Sequence, residues 1–261
     1  MSSADAHKGV RRTILLDADI TAYQAASRGQ TVYNFGDGAV ATIVHDIEPI
    51  ITGMLQGVEE LKERLEADEV IVCLSCPSAA GWRRVLLPEY KLNRNPANVP
   101  VMLTELKNVL RANYRTYERP TLEADDVLGI LATGDIIGGV KILVSIDKDT
   151  QTIPCNLYNP SHGMLVEVSE EEADYFHLVQ TLTGDATDNY KGCPRVGKVG
   201  AAKIVVKGDL KQSWANIVKA FESKGLTEED ALLQARVARI CRASDYDFKR
   251  KKVKLWEAPA L

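Results

Sequence analysis

The chain has 261 residues, of which 45% are hydrophobic and 26% are charged, and its formal net charge is −4. This composition is typical of a soluble protein with one large or two small domains, and the small net charge excludes a global basic field but not a local basic surface. No run of 18 apolar residues occurs and the N-terminus lacks the apolar core of a signal peptide, which argues against membrane contact. Five scattered cysteines do not suggest a disulfide framework, so we expect a cytoplasmic protein.

Predicted strands and helices alternate along the chain. A flexible tail over 1–12 precedes the first strand, whose apolar run ends in acids, and a similar apolar run ends in acids near residue 147. We predict strands over 13–19, 69–75, 140–149, 155–158, 164–168 and 252–257, and helices over 20–28, 46–68, 101–114, 121–133 and 169–184, with shorter helices to about 244.

Capping signals and irregular stretches complete this pattern. Thr121 is the expected N-cap of its helix, and Ser169 with Glu172 has capping-box spacing. Residues 29–40 are predicted to form a loop. Residues 76–100 contain several prolines and basic residues and are predicted to be a long irregular segment, which in a folded domain is usually functional or disordered.

The order of the elements indicates the fold class. Strands that read as continuous apolar runs and alternate with helices imply an α/β protein with a mostly parallel central sheet flanked by helices. Functional sites of such sheets collect at the carboxyl ends of the strands. Acidic residues follow two of the predicted strands at that place.

Nine acids stand at the ends of predicted elements. Each of them alone could be a helix cap or a turn residue. Together they would repel one another if they converged, and the sequence shows no matching set of close basic residues, so Mg²⁺ is the natural partner of their oxygens. Two such ions would activate water and polarise a phosphodiester, which predicts metal-dependent phosphodiester hydrolysis. The nine are Asp17, Asp19, Glu123, Asp125, Asp126, Asp147, Asp149, Asp185 and Asp188.

Six segments in a characteristic order resemble the 5′-nuclease (flap endonuclease, PIN-like) superfamily, and most closely the 5′→3′ exonucleases of short-tailed bacteriophages. They are ILLDADITAYQA, WRRVLLPEYKLNR, TLEADDVLGILAT, SIDKDTQTIP, QTLTGDATDNYKGCPRVGKVGAAKI and ARICRASDYDF, and they extend over about 13–257. The resemblance implies a PIN-like core over 13–184 with an arch segment at about 76–100. It also implies a helix–three-turn–helix DNA-binding region within 185–261 that packs on this core.

The resemblance assigns roles to residues of this sequence. Lys91 would contact the scissile phosphate with help from Arg94, while Tyr90 would stack on a terminal base and Arg83 and Arg84 would bind backbone phosphates. A solvated basic loop without a role is the alternative for this segment. Two Mg²⁺ or Mn²⁺ ions would be held by Asp17, Glu123, Asp125, Asp126, Asp147, Asp149, Asp185 and Asp188, with Asp19 close by.

The segment GCPRVGKVGAAKI resembles the helix–three-turn–helix motif. There Gly197 and Gly200 would allow a tight turn and a close backbone approach, and Lys198 and Lys203 would add charge for duplex phosphates. The family's pattern implies a monovalent cation at this motif. Arg195 stands where the family often has glycine. A plain glycine-rich connection between helices is the alternative.

One departure concerns the strand before the basic segment, which in the family ends in a further metal-binding Asp. The corresponding position falls on or near Cys76, and no acid occurs between Glu69 and Glu89. Three consequences are open: the site works with one ligand fewer, it favours Mn²⁺, or activity is reduced. The spacing of Cys73 from Cys76 is regarded as accidental, although a redox pair is a distant alternative.

These observations predict a divalent-metal-dependent 5′→3′ exonuclease or flap endonuclease. Its partner would be DNA with 5′ ends, in duplex, flap or RNA–DNA hybrid form, and the protein would be a monomer without membrane contact that could meet replication proteins. The alternative is a non-catalytic DNA-binding relative with an impaired metal site at Cys76.

Overall fold

The computed structural model describes residues 9–37, 40–76 and 81–260. Most of the tail predicted over 1–12 and the start of the irregular segment after Cys76 therefore lie outside the described residues. Within the described part of the chain, no helix is long and apolar enough to cross a membrane.

Six strands form the central sheet, in the order β5–β4–β1–β6–β7–β8. All neighbouring pairs are parallel except β7 and β8, which are antiparallel at one edge. The predicted mostly parallel sheet is thus confirmed. The strands of the chain are β1 (Arg12–Asp17), β2 (Gln30–Asn34), β3 (Val40–Val44), β4 (Glu69–Cys73), β5 (Arg115–Tyr117), β6 (Val140–Val144), β7 (Cys155–Asn159), β8 (Met164–Val168), β9 (Tyr246–Asp247) and β10 (Lys252–Val253).

Helices cover both faces of this sheet. On β1, Leu15 packs into the core shared with α5, whereas Ile14 and Leu16 pack into the core shared with α1, α2 and α4. Because alternate strand residues point to opposite faces, a strand buried on both sides must be apolar throughout. The helices are α1 (Ala18–Arg28), α2 (Ile47–Arg64), α3 (Trp82–Leu86), α4 (Leu103–Asn113), α5 (Ala124–Thr133), α6 (Glu170–Thr183), α7 (Lys198–Ile204), α8 (Leu210–Glu222) and α9 (Glu228–Ala238).

Residues 29–40, predicted as a loop, instead belong largely to an antiparallel hairpin of β2 and β3. Val32, Phe35, Val40 and Ile43 of this hairpin are all exposed. A strand with both faces in solvent needs no alternation of apolar and polar residues, so the usual sequence signal of a half-buried strand is missing.

Two helix starts test the capping predictions. Ser169 Oγ accepts a hydrogen bond from the Glu172 amide and the Glu172 carboxylate accepts one from the Ser169 amide, which confirms the predicted capping box. The prediction of Thr121 as an N-cap is wrong. Thr121 has a φ of +67°, and α5 starts only at Ala124, after Glu123.

Over its described residues, the segment after Cys76 is less irregular than predicted, since it contains α3 and a 3₁₀ turn over Pro96–Asn98. After it, α6 to α9 enclose a third core around Trp214 and Phe221. The chain then returns to the sheet, where Cys241 and Tyr246 pack against α5. The last predicted strand is shorter than expected, because β10 pairs with β9 over two residues only.

Candidate active site

A cleft of about 560 Å³ lies at the carboxyl ends of β1, β4 and β6. Its wall is strongly acidic, with eight carboxylates against three cationic side chains. Parallel strands end at the same edge of the sheet, which is why acids far apart in sequence meet here. The carboxylates are those of Asp17, Asp19, Glu123, Asp125, Asp147, Asp149, Asp185 and Asp188, and the cations are Lys91, Arg94 and Lys148.

Asp17 ends β1 and also caps α1. Its Oδ1 accepts the amide of Ile20 at 3.1 Å and its Oδ2 accepts the hydroxyl of Ser145 at 2.8 Å. Burial raises the pKa of Asp17 to about 7, with the neighbouring carboxylates of Asp19 and Asp147 adding to the shift. The carboxylate is therefore held in place at a considerable electrostatic cost.

Asp19 lies in the first turn of α1 and pairs with a base that the sequence did not suggest. Lys107 of α4 places its Nζ 2.8 Å from Asp19 Oδ1. The same oxygen lies 3.4 Å from the amide of Ser75, at the end of β4.

Glu123 and Asp125 reach the cleft from the start of α5. Burial raises the pKa of Asp125, and the nearby carboxylates of Asp17 and Asp147 raise it further, whereas Lys91 opposes them. Several buried carboxylates thus compete for too little positive charge, as expected where like charges converge.

Asp147 and Asp149 follow β6 and are oriented by hydrogen bonds. Asp147 Oδ1 accepts the amide of Asp149 at 2.9 Å, and Asp149 Oδ1 accepts Nε2 of Gln180 on α6 at 2.5 Å. Burial raises the pKa of Asp149 to about 6. Gln180 and Ser145 position acids of the cleft but carry no motif that the sequence could have revealed.

Asp185 and Asp188 stand in a tight loop after α6. Gly184 and Gly192 bring the two ends of this loop into close backbone contact. Both have φ near +64°, and a Cβ on Gly192 would lie 2.4 Å from the Gly184 nitrogen. Only glycine fits that approach. Asp185 Oδ2 accepts Lys148 Nζ at 2.8 Å, and although burial opposes it, this bond helps to hold the pKa of Asp185 below its usual value.

The cleft cations are bound to the acids. Lys91 Nζ lies 2.5 Å from Glu123 Oε1, and Arg94 Nη2 lies 2.7 Å from Asp188 Oδ1. The expectation that the acids lack close basic partners is therefore wrong, although eight carboxylates still outnumber three cations on the wall. Both predicted phosphate-binding residues, Lys91 and Arg94, do line the cleft.

Asp126 does not face the cleft, which corrects its prediction as a metal ligand. It is fully buried, and both of its oxygens are engaged. Oδ1 accepts Nη2 of Arg83 and the amide of Cys241, while Oδ2 accepts Nη1 of Arg83 and Nε1 of Trp82. Such an arrangement satisfies a buried carboxylate completely and leaves no oxygen for an ion.

Arg83 is the partner in this buried pair, so its predicted contact with backbone phosphates is also wrong. It is 3% exposed and donates to the carbonyl oxygens of Val237 and Arg239 as well as to Asp126. Its remaining contact, at 3.1 Å, is with Glu123. Arg83 therefore ties the segment after β4 to α5 and to the end of α9.

Tyr90 is 5% exposed and cannot offer its ring to a terminal base, which corrects a third prediction. Its hydroxyl contacts Glu123 and Asp188 instead. Arg84 is half-buried and donates through Nε to the Tyr90 carbonyl oxygen at 3.2 Å, and its contact with a phosphate stays a prediction.

Ser75, rather than Cys76, stands on the cleft wall at the end of β4. Ser75 accepts the amide of Ala124 at 2.9 Å and lines both the acidic cleft and an adjoining cavity of about 140 Å³, whereas Cys76 lines the adjoining cavity and not the cleft. Of the two residues, Ser75 is therefore the one from which a side chain reaches the cleft. Cys73 is a buried core residue of β4, as predicted, and both thiols are free.

The predicted helix–three-turn–helix residues surround the start of α7. Lys198 and Lys203 are exposed, and Gly197, the residue before α7, has an extended backbone with nothing within 4 Å of a hypothetical Cβ. The tight turn predicted at Gly197 and Gly200 instead involves Arg195, whose φ is +64°. This left-handed conformation explains why glycine suits that position.

The chemistry of the cleft fits a hard divalent cation. Its donors are carboxylate oxygens, and burial raises the pKa values of Asp17, Asp125 and Asp149, with neighbouring carboxylates adding to each shift. Over the described ranges, no three acid, thiol or imidazole groups stand ready as an ion-binding set. Lys91, Arg94 and Lys148 occupy acid oxygens that an ion would require.

Comparisons with known proteins agree with this geometry. The family model of the 5′-3′ exonuclease N-terminal resolvase-like domain matches residues 13–180. The exonuclease of Escherichia phage T7 is 31% identical over 221 residues, which cover 71% of this chain and 73% of that protein.

Two solved structures of the T5 D15 protein share the fold. One, co-crystallised with metal ions, has a TM-score of 0.67 at 14% identity. The other is a complex of the bacteriophage T5 D15 flap endonuclease with DNA and metal ions, with a TM-score of 0.62 at 14% identity. Each alignment covers 87% of this chain and 89% of the other.

Proposed function

Because the chain belongs to the 5′-3′ exonuclease family, whose N-terminal resolvase-like domain it contains, we propose that its acidic cleft hydrolyses phosphodiester bonds at the 5′ ends of DNA. The observation that carries this proposal is the convergence of eight carboxylates at the carboxyl ends of three parallel strands. Exonuclease and flap cleavage are both within its reach, and RNA–DNA hybrids are further candidate substrates.

Two divalent cations, Mg²⁺ or Mn²⁺, are proposed as cofactors. Asp17, Glu123 and Asp125 would hold one, and Asp147, Asp149, Asp185 and Asp188 the other. When bound, these ions would lower the pKa of water and neutralise charge on the phosphate. Metal ions in the T5 D15 structures support the assignment, as does the raised pKa of Asp17, which a cation would relieve.

The cations of the cleft would bind the substrate. Lys91 lines the cleft beside Glu123, so its ammonium is placed to stabilise negative charge that develops on the scissile phosphate. Arg94, whose side chain is 55% exposed, would hold an adjacent phosphate. Each would leave its present carboxylate partner when substrate and cation bind.

The start of α7 is proposed as a second contact with the duplex. Gly197 has no protein atom within 4 Å of a hypothetical Cβ, so the free space there suits the approach of a phosphate. Lys198 and Lys203 would supply charge and Arg84 would assist near the cleft. We also propose a monovalent cation at this motif. The protein is further proposed to be a monomer that contacts replication proteins. A cytoplasmic location is proposed as well, and the five free cysteines support it.

The rival is a DNA-binding relative that does not cleave. A duplex labelled at one 5′ end is incubated with the protein and Mg²⁺ or Mn²⁺, and again with EDTA. Release of short labelled products with either metal, and not with EDTA, is the expected result. Binding without cleavage under both metals would favour the rival.

The Asp147→Asn variant links the activity to the cleft. We expect it to lose cleavage by at least about 100-fold, because a carboxylate beside the reacting phosphate is neutralised, while duplex binding is kept. Glu229→Gln, on an exposed position of α9, is the charge-matched control and should cleave normally. Near-normal turnover of Asp147→Asn would contradict the assignment.

A further inference from the structure

The hydroxyl of Tyr90 joins two acids of the cleft that come from distant parts of the chain. It lies 2.9 Å from Oε2 of Glu123 and 2.9 Å from Oδ2 of Asp188. Glu123 stands at the start of α5, whereas Asp188 belongs to the loop after α6. We propose that Tyr90 is a positioning residue that fixes these two carboxylates relative to each other; this inference rests on the proposed nuclease function.

The two carboxylates are divided in the same way. One oxygen of each contacts Tyr90, and the other contacts a cleft cation: Lys91 at Glu123 Oε1 and Arg94 at Asp188 Oδ1. On the Tyr90 side, Arg83 Nη1 also lies 3.1 Å from Glu123 Oε2 and Lys91 Nζ lies 3.5 Å from Asp188 Oδ2. The hydroxyl therefore restrains both side chains through one oxygen each, and the second oxygen becomes available to a divalent ion once its cation moves to the substrate.

The ring of Tyr90 is itself held firmly. It is buried in a small core with Leu87, Tyr190, Val237 and Ala238, which joins the segment after β4 to α9. Lys91 Nζ lies 4.9 Å from the ring centroid. A side chain fixed on its apolar faces can impose its own position on flexible carboxylates at its polar end.

The chemistry of the hydroxyl supports this role. A phenol has a single proton and donates to one carboxylate at a time. Without it, Arg83 Nη1 would still lie 3.1 Å from Glu123 Oε2 and Lys91 Nζ 3.5 Å from Asp188 Oδ2, but the 2.9 Å link through one shared hydroxyl would be lost and the like-charged carboxylates would move apart.

Tyr90→Phe removes this hydroxyl and keeps the ring. The first measurement is the affinity of the DNA-free protein for Mn²⁺. The concentration of unbound Mn²⁺ is read from its electron paramagnetic resonance signal. We expect binding to weaken by about tenfold, the effect of losing a group that orients ligands. kcat should fall, whereas KM for 5′-phosphorylated duplex and the thermal unfolding midpoint should change little.

Tyr246→Phe is the matched control. Tyr246 is also buried, and its hydroxyl has no hydrogen-bond partner among the described residues, so its removal should leave Mn²⁺ binding and kcat unchanged. Any general cost of exchanging a buried tyrosine is thereby separated from the effect on Glu123 and Asp188.

The outcomes separate the two proposals. Wild-type protein that binds no Mn²⁺ would defeat the proposed function. Wild-type and Tyr90→Phe proteins with equal affinity for Mn²⁺ would overturn the role of Tyr90 alone. A double-mutant cycle that combines Tyr90→Phe with Asp188→Asn gives a second test. We expect the combined effect on Mn²⁺ affinity to differ by about fivefold from the product of the two single effects. Additive effects would again overturn the inference.

Discussion

Arg83 and Asp126 form a two-pronged ion pair in the protein interior, with both N–O distances at 2.8 Å and both side chains almost fully buried. The pair joins α5 to the segment after β4, and the Arg83 contacts with the Val237 and Arg239 carbonyls extend it to α9. Two residues that look like parts of an active site in the sequence are thus structural.

Asp126→Asn should destabilise the protein by about 3–5 kcal/mol, because the buried Arg83 guanidinium loses its two-pronged partner and keeps only the contact with Glu123 among the described carboxylates. Urea unfolding of the metal-free protein measures the effect. Glu229→Gln, an exposed substitution, should change stability by less than about 0.5 kcal/mol. An Asp126→Asn protein of normal stability that no longer cleaves DNA would restore Asp126 to the candidate metal ligands.

Ser75→Asp should lower the Mg²⁺ concentration needed for half-maximal cleavage several-fold, because it adds a carboxylate to the cleft wall. The new side chain can still accept the Ala124 amide at the start of α5. Activity is titrated against Mg²⁺ for this variant and for Cys76→Asp. Cys76 lines the adjoining cavity and not the cleft itself, so improvement in Cys76→Asp alone would show that the choice of Ser75 is wrong.

Asp17→Asn should stabilise the metal-free protein more at about pH 8 than at pH 5. Burial raises the pKa of Asp17 from 3.8 to about 7, so the folded state binds a proton that the unfolded chain has released, and wild-type stability falls as pH rises through this interval. Asparagine keeps the helix cap without titrating. The difference between the two unfolding midpoints in EDTA is the measurement.

His177 provides the reason for using this difference. Burial lowers the pKa of His177 to about 3, so its contribution to stability rises with pH up to its ordinary value of 6.5, opposite to that of Asp17. Wild-type and Asp17→Asn proteins both contain His177, so its contribution to the pH dependence cancels in the difference between their unfolding midpoints. A midpoint difference that does not grow between pH 5 and pH 8 would contradict the Asp17 assignment.

The double variant Lys198→Ala/Lys203→Ala should bind duplex DNA more weakly and with a smaller salt dependence. Two lost phosphate contacts reduce the slope of log K against log salt by about 2. Affinities are measured at several salt concentrations in EDTA, which prevents cleavage. Lys62→Ala/Lys252→Ala, on α2 and β10, is the matched control, and an equal loss of slope in both proteins would remove α7 from the DNA-binding surface.

The sequence was sufficient for the fold class and for most of the cleft. Continuous apolar runs at 13–19 and 69–75 can be accommodated only by a sheet covered on both faces, and the acids after β1 and β6 must then meet at one edge. The exposed β2–β3 hairpin escaped prediction because neither of its faces packs on a core.

The sequence did not separate the roles of neighbouring residues within the acidic segments. Asp125 and Asp126 are adjacent on α5, yet one carboxylate lines the cleft and the other lies among Trp82, Arg83 and Cys241. Their shared chemistry makes both plausible ligands, and only the direction of each side chain from the helix separates them. Arg83 and Tyr90 were misassigned because their burial depends on α9, about 150 residues later.

The amino-acid sequence by itself determined five of the six strands of the sheet and that carboxylates gather at its edge, since these depend on local apolar runs and strand order, whereas the three-residue edge strand β5 was not predicted. The tertiary structure decided which polar groups form hydrogen bonds and ion pairs with one another inside the protein. Arg83 neutralises Asp126, Tyr90 contacts Glu123 and Asp188, and Ser75 rather than Cys76 stands on the cleft wall after β4. Those pairings depend on distances of about 3 Å between elements far apart in the chain, and no sequence spacing encodes such distances directly.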